Sequence, residues 1–193
     1  MDGTGLAFRA HVEKIDNFIV EGSIDKPYAN YGESQKNIHL VIGLIKGKRM
    51  DMAIEKSVEF GVKSIHPVLF ERSIKKTLNP ERLTKVIVSS AKQTGRSIFP
   101  ELKKPVKFLE WIEAYQDRNC FACHFEAKSK IENVVSSQTD DIMIIVGPEG
   151  DFSANEIALL KKYETPLVNL GPRRLRSESA CISAIITAVS YTH

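Results

Sequence analysis

The stretch Asp141-Ile142-Met143-Ile144-Ile145-Val146-Gly147-Pro148-Glu149-Gly150 decides the fold class of this chain. Its first six residues are almost all apolar and form a run of the length of a strand buried on both faces, which is typical of parallel sheets. The run leads directly into a loop that carries glycine and proline. Ser153 and Glu156 follow with the spacing of a capping box, so a helix is predicted to begin just after this loop.

The flanking sequence repeats this alternation of strand and helix. Ile38–Ile45 predicts a buried strand, Arg49–Phe60 a helix and Val62–Phe70 the next strand. Asn79-Pro80-Glu81 combines a cap residue, a first-turn proline and an early acid, and predicts the start of another helix. Such alternation predicts an α/β fold with a mostly parallel sheet. The remaining predicted elements are a short helix at Phe108–Gln116, strands at Cys120–Glu126 and Pro166–Leu170, and a last helix through Ala180–Val189.

The first part of the chain has a different pattern. Leu6–Val12 and Phe18–Val20 predict short β elements that are too small for a core of their own. Asp25–Lys36 is interpreted as a connection to the rest. The sequence therefore predicts a β segment at residues 1–34 and the α/β domain at residues 35–193.

Composition places few limits on function. The 193 residues are 42% hydrophobic and 26% charged, and no apolar run is long enough for a membrane span. The first residues lack the pattern of a secretory signal, so a cytoplasmic protein is expected. The net charge of +3 is weak evidence about partners. The basic cluster that begins at Arg72 suits an RNA backbone and a solvated face equally well.

The run Cys120-Phe121-Ala122-Cys123-His124 raises the question of a haem or metal site. Haem attachment at this motif belongs outside the cytosol. A zinc site needs about four ligands, and Cys181 lies in a separate helical segment. The alternation of Phe121, Cys123 and Phe125 instead favours a half-buried strand with structural thiols, so no metal is expected.

Ligands of α/β proteins bind beyond the carboxyl ends of the strands, which directs attention to the loops after Val146 and Leu170. Gly-Pro-Glu-Gly alone is more typical of a tight turn. The run Leu170–Ala180 adds arginines, a carboxylate and hydroxyls at one loop-to-helix junction. Its arginines suit RNA phosphates or a ligand carboxylate, whereas Glu178 suits the helix dipole and a catalytic role equally. The arginines are Arg173, Arg174 and Arg176.

Lys92-Gln93-Thr94-Gly95-Arg96 forms a third constellation, at the end of a predicted helix. Gln93 could read a base edge and Arg96 could bind a phosphate. Termination of the helix at Gly95 explains the glycine but not this pairing.

Together, the run Val146–Ser153, the run Leu170–Ala180 and Gln93-Thr94-Gly95-Arg96 resemble the three signature loops of the RsmE family, the 16S rRNA uridine-N3 methyltransferases. Lys46-Gly47-Lys48-Arg49-Met50 and Glu59-Phe60-Gly61-Val62 also fit, so the resemblance covers roughly residues 37 to 190. It implies a SPOUT-type sheet with a C-terminal trefoil knot, an exception to the rule against knots. It also implies a homodimer that binds S-adenosyl-L-methionine (SAM) and acts on 16S rRNA within the small ribosomal subunit.

The resemblance assigns roles residue by residue. The cofactor would contact the two glycine loops, largely through backbone atoms, and the uridine would lie beside a cation or a general base. The implied cofactor-binding residues are Val146, Gly147, Pro148, Glu149, Gly150, Leu170, Gly171, Leu175, Arg176 and Ser179. The candidate catalytic residues are Arg96, Arg176 and Glu178, and the candidate RNA contacts are Arg72, Gln93, Arg96, Arg173 and Arg174.

Departures from the family pattern keep alternatives open. Asp151 stands where a second glycine is usual, and residues 1–34 look like the remnant of a PUA-like RNA-binding barrel. Two other activities fit the residues less closely. They are methylation of a ribose 2'-hydroxyl or another base by a SPOUT enzyme, and RNA binding without catalysis.

Overall fold

The structure is a computed structural model, which describes residues 1–34, 36–135 and 140–190. The predicted domain boundary at residue 35 and the chain's last three residues lie outside the described residues. The strands are β1 (Leu6–Ile15), β2 (Val20–Ala29), β3 (Asn37–Gly43), β4 (Ser64–Leu69), β5 (Glu101–Leu102), β6 (Val106–Lys107), β7 (Cys120–Cys123), β8 (Ser129–Lys130), β9 (Asp141–Val146) and β10 (Leu167–Asn169). The helices are α1 (Gly47–Glu59), α2 (Pro80–Gln93), α3 (Phe108–Ala114), α4 (Ala154–Lys162) and α5 (Ser177–Ser190), with a 3-10 turn at Ile131–Asn133.

A parallel sheet forms the centre of the fold. Within the described residues its strands follow the order β5-β4-β3-β9-β7-β10-β8. The short strand β6 pairs with the same edge of β4 as β5 does, further toward the carboxyl end of β4. Every pair in this sheet is parallel. The predicted mostly parallel α/β fold is therefore confirmed. The decisive stretch forms β9, which lies in the middle of the sheet beside β3.

The core explains why the central strands are apolar throughout. Alternate residues of β9 point to opposite faces of the sheet, as the two-residue period of a strand requires. Ile142 and Ile144 join the cluster with α1, α2 and α5, whereas Met143 and Ile145 join the cluster with α3 and α4. With helices on both faces, a strand without polar alternation is the expected result.

Two predicted helix starts are confirmed by their hydrogen bonds. The Asn79 side chain accepts from the N–H of Arg82 at the start of α2. Ser153 accepts from the N–H of Glu156, and the Glu156 carboxylate accepts from the N–H of Ser153. This reciprocal pair fixes the point at which the chain leaves the glycine loop and enters α4.

Some predicted bounds were wrong. β7 ends at Cys123 rather than at Glu126, because the chain turns beyond it, with Ala127 N–H donating to His124 O. Asp25–Ala29 belong to β2 rather than to a connection. Pro27 is tolerated there because a two-stranded ribbon leaves one edge of each strand unpaired.

The base of the β1–β2 hairpin is bonded to the rest of the fold. Gly5 N–H donates to Ser97 O, and Phe99 N–H donates to Gly3 O, so the base meets the segment after α2. Most of the hairpin is exposed, including the side chains of Phe18 and Ile24. In the described part of the chain, no helix is both long and apolar enough to cross a membrane.

Candidate cofactor site at the carboxyl ends of three strands

A cavity of about 420 Å³ lies at the carboxyl ends of β7, β9 and β10. These strands are neighbours in the sheet, in the order β9-β7-β10, so the loops that follow them converge. Such an edge is the usual ligand position in α/β proteins. The cavity is lined by Arg49, Cys123, His124, Phe125, Val146, Gly147, Pro148, Glu149, Gly150, Asp151, Leu170, Gly171, Arg173, Arg174, Leu175, Arg176, Ser177 and Ala180.

A close backbone approach holds the loop after β9 in place. A Cβ atom on Gly43, at the end of β3, would lie 2.6 Å from Pro148 N and 2.9 Å from Pro148 Cα. Only glycine leaves room for the loop backbone to lie this close to the end of β3. The loop then turns at Asp151, whose N–H donates to Pro148 O and whose φ is +63°.

Hydrogen bonds also connect the other two loops. The N–H of Gly171 donates to Asn169 Oδ1 at 2.6 Å, and the φ of Gly171 is +129°, a region that favours glycine. The Asn169 amide nitrogen donates to Phe125 O across to the loop after β7. One asparagine at the end of β10 therefore positions two walls of the cavity.

Charged side chains in the cavity wall are paired in a way that leaves one acceptor without a donor. Glu149 Oε1 lies 3.1 Å from Arg49 Nη2 and accepts from the Lys46 N–H at 3.3 Å. Its other oxygen, Oε2, is buried and has no hydrogen-bond partner among the described residues. Arg174 Nη2 lies 2.9 Å from Asp151 Oδ2 at the rim. A buried acceptor of this kind favours a ligand that supplies a donor.

The thiols near the cavity have the properties of structural residues. Burial raises the pKa of Cys123 to about 12 and also raises the pKa of Cys120 and Cys181. Protonated thiols neither bind zinc nor attack electrophiles well. Among the described residues, no group of histidine, cysteine and acidic side chains is arranged to hold a metal.

The structure brings most of the predicted cofactor residues to one place. Nine of the ten line the cavity, and the three arginines of the loop after β10 do so too. Ser179 does not line it and is exposed on α5. Arg72 lies behind the glycine loop, where it donates to Gly150 O at 3.2 Å and to Phe152 O at 3.1 Å. That position supports the loop and leaves an RNA contact by Arg72 as a prediction.

Glu178 lies beside the cavity rather than in its wall. It occupies the first turn of α5, next to Ser177, and only 6% of the residue is exposed. Its Oε2 atom is buried and has no hydrogen-bond partner in the described part of the chain.

The predicted roles of Arg96 need correction. Its guanidinium is 2% exposed and is bonded to Glu33 and to the carbonyl oxygens of Val58 and Val62. A buried group with its donors already used cannot reach a phosphate or a base, so Arg96 is structural. Gln93 is exposed at the end of α2, outside the cavity, and its RNA contact stays a prediction.

Sequence reasoning missed several lining residues. Applying the strand-end rule to β7 would have found His124 and Phe125, but the predicted strand ran through them. Arg49 was missed because it comes from the first turn of α1, and only the tertiary fold brings it to Glu149. The other missed residues are Cys123, Asp151, Ser177 and Ala180.

The family model described as RNA methyltransferase domain matches residues 32–189, which include the parallel sheet and the three loops of the cavity. The chain is 33% identical over 191 residues to the ribosomal RNA small subunit methyltransferase E of Buchnera aphidicola, a match that covers 95% of this chain and 75% of the relative. The chain belongs to this methyltransferase E family.

Two solved structures are similar along almost the whole chain. A methyltransferase from Legionella pneumophila in complex with SAM has a TM-score of 0.84 and 32% identity, covering 97% of this chain and 80% of that one. The methyltransferase E of Neisseria gonorrhoeae bound to SAM has a TM-score of 0.85 and 28% identity, covering 96% and 79%. The fold and the family agree with the resemblance seen in the sequence.

Proposed function

We propose that this protein transfers a methyl group from SAM to N3 of a uridine in 16S rRNA, acting on the assembled small ribosomal subunit. The observation that carries the proposal is the cavity formed by the three strand-end loops in a chain of the methyltransferase E family. Two relatives of the same fold have SAM bound. The cytoplasm follows as the location, because ribosomal subunits are found there.

The residues of the cavity fit SAM. Its volume of about 420 Å³ is within the usual range for small-molecule sites. Loop backbone atoms from Gly147 to Gly150 and at Leu170 suit the edges of an adenine ring. The unpartnered Oε2 of Glu149 suits a ribose hydroxyl or the ammonium group, both of which SAM carries. When bound, SAM supplies an electrophilic methyl group on a sulfonium centre.

The protein's own contribution to the reaction concerns the uridine. N3 carries a proton and is a poor nucleophile until that proton is removed or its loss is favoured. Arg176 in the cavity wall favours the anionic uridine by its charge. The buried carboxylate of Glu178, next to the lining residue Ser177, is the candidate proton acceptor. Holding N3 in line with the methyl group contributes by orientation. The target uridine must also leave its base stack to enter the site.

The proposal extends to the assembly. We infer a homodimer that buries the faces of α1 and α5 that expose Met52 and Ile186; the two helices pack together. We also infer the trefoil knot of SPOUT proteins. The loop after β10 and the start of α5 would form this knot, and both lie at the cavity. The exposed hairpin of β1 and β2 suits a remnant of a PUA-like RNA-binding barrel.

The test combines binding and chemistry. Calorimetry should detect SAM binding in the micromolar range, and Glu149→Ala should weaken it by at least tenfold, whereas Glu113→Gln, a change at an exposed residue of α3, should not. Small subunits from a strain that lacks the activity should then gain labelled N3-methyluridine. Label on ribose alone would replace the proposal with 2'-hydroxyl methylation, and binding of RNA without SAM would replace it with a non-catalytic role.

A further inference from the structure

A second cavity, of about 360 Å³, lies beyond the carboxyl end of β3. Gly47 and Met50 line it, whereas Arg49 lines the candidate cofactor cavity. The two cavities therefore lie on either side of the first turn of α1. The function proposed above makes no use of this second cavity.

The interior of the second cavity is apolar and its edge is cationic. Leu44, Ile45 and Leu83 are at most 2% exposed and form its floor. Lys75, which is exposed, and Arg82, whose side chain is 48% exposed, lie at its edge. An apolar floor suits the flat face of a ring, and a cationic edge suits a phosphate.

The first turn of α1 adds to this preference for anions. Its cap residue, Lys46, makes no side-chain capping hydrogen bond, and the turn contains no acidic residue. The carboxylate that lies at this helix start, Glu149, comes from the candidate cofactor cavity on the other side of the turn. The nearest competitor is Asp51, which holds Arg82 at 2.6 Å. The Arg82 side chain is 48% exposed, so its guanidinium has further donors that can contact a phosphate while the ion pair with Asp51 is kept.

We propose that the second cavity holds one nucleotide of the RNA substrate next to the target uridine, with its base on the apolar floor and its phosphate between Lys75 and Arg82. This inference rests on the proposed function and deepens it. RNA-binding proteins commonly accept unstacked bases in pockets while cations hold the backbone. Lys75 and Arg82 are therefore positioning residues. The methyl transfer itself takes place in the candidate cofactor cavity, on the other side of the first turn of α1.

The test uses the full chain with small ribosomal subunits and SAM. We expect Lys75→Ala and Arg82→Gln each to raise KM for the subunits about tenfold, with kcat changed less than threefold. Thr77 also lines the cavity and is exposed, so Thr77→Trp should fill the cavity from its edge and do the same. The matched controls are Lys85→Ala and Thr84→Trp, because these residues of α2 are exposed and do not line the cavity. Each lost phosphate contact should also reduce the salt dependence of binding by about one unit of slope.

A direct probe separates this proposal from the proposed function. Uridine 5'-monophosphate, added to methyl-labelled protein, should shift the methyl signals of Leu44, Ile45 and Met50, and Thr77→Trp should abolish these shifts. SAM affinity, measured by calorimetry, should stay within twofold in every variant. Equal effects of the control variants, an unchanged KM, or shifts confined to the candidate cofactor cavity would each overturn the proposal. Failure of the wild-type protein to bind SAM would instead contradict the proposed function.

Discussion

Glu33 and Arg96 form a buried ion pair, in which Glu33 Oε2 lies 2.7 Å from Arg96 Nη2 and each side chain is 2% exposed. Lys63 Nζ lies 2.8 Å from the same oxygen, and the Ile98 N–H donates to the other. Burial alone would raise the pKa of Glu33, but the hydrogen bonds from Arg96 and Lys63 outweigh it and hold that pKa below its usual value. The pair connects the segment after the hairpin to the ends of α1 and α2.

Removing the carboxylate should leave a buried charge without its partner. We expect Glu33→Ala to lower the free energy of unfolding by about 3–5 kcal/mol, the usual effect of breaking a buried pair. Glu101→Ala, which breaks the exposed pair with Lys103, should change it by less than about 1 kcal/mol. Urea unfolding at pH 7 measures both. Similar losses in the two variants would show that the buried pair contributes no more to stability than the exposed pair.

A chain of hydrogen bonds near the amino ends of β3 and β4 makes the stability of the protein depend on pH. The Trp111 indole N–H donates to His66 Nδ1 at 3.3 Å, so neutral His66 carries its proton on Nε2, 2.7 Å from Ser64 Oγ. The same oxygen lies 2.7 Å from His39 Nδ1. Burial, together with electrostatic interactions with His39 and Lys103, lowers the pKa of His66 to about 4.

The lowered pKa of His66 makes the protein less stable as the solution becomes more acidic. In the unfolded chain His66 takes up a proton near pH 6.5, whereas the folded protein resists protonation until about pH 4. The contribution of neutral His66 to the free energy of unfolding is therefore fully present above pH 6.5 and is lost as the pH falls toward 4. Between pH 7 and pH 5 the loss should be about 2 kcal/mol. Urea unfolding across this range should show it, and His66→Gln should abolish this part of the pH dependence.

The glycine at the end of β3 offers a test of the cavity wall. In Gly43→Ala the added methyl group meets the backbone of Pro148, which cannot turn away as a side chain can. We expect a stability loss of about 1–3 kcal/mol and at least a tenfold loss of SAM affinity, because the displaced loop forms the wall. Ile42→Val, one residue earlier in β3, should cost no more than about 1.5 kcal/mol and leave SAM affinity unchanged. Unchanged binding by Gly43→Ala would show that this loop does not hold the cofactor.

Asp151 has a left-handed backbone conformation whose cost can be measured. Its φ of +63° suits glycine better, but its side chain accepts from the Phe152 N–H and pairs with Arg174. Asp151→Ala loses both contacts and keeps the strained backbone, so we expect it to be less stable than Asp151→Gly by about 1 kcal/mol. Thermal unfolding should give this order, and the reverse order would mean that backbone strain has no role here.

The sequence predicted the elements of this fold better than their contacts. Apolar runs with a strand's length and capping patterns with fixed spacing are local signals, so β9 and the starts of α2 and α4 were found correctly. The structural role of Arg96 was not found, because its partner Glu33 is 63 residues away and looks like a loop residue in the sequence. For the same reason Arg49 was missed in the cavity wall, since its contact with Glu149 exists only after folding.

Substitution of Glu178 should show how much stability the protein loses by holding this carboxylate in a buried position. It is buried, its Oε2 has no hydrogen-bond partner among the described residues, and an ion removed from water without partners is destabilising. Glu178→Gln keeps the shape and removes the charge, so we expect the free energy of unfolding to rise by about 1–2 kcal/mol. If Glu178 removes the N3 proton, kcat should fall at least about a hundredfold, with SAM affinity within threefold. Glu113→Gln controls for loss of an exposed charge. A more stable variant with an unchanged kcat would show that Glu178 takes no part in the reaction and acts on the helix dipole of α5 alone.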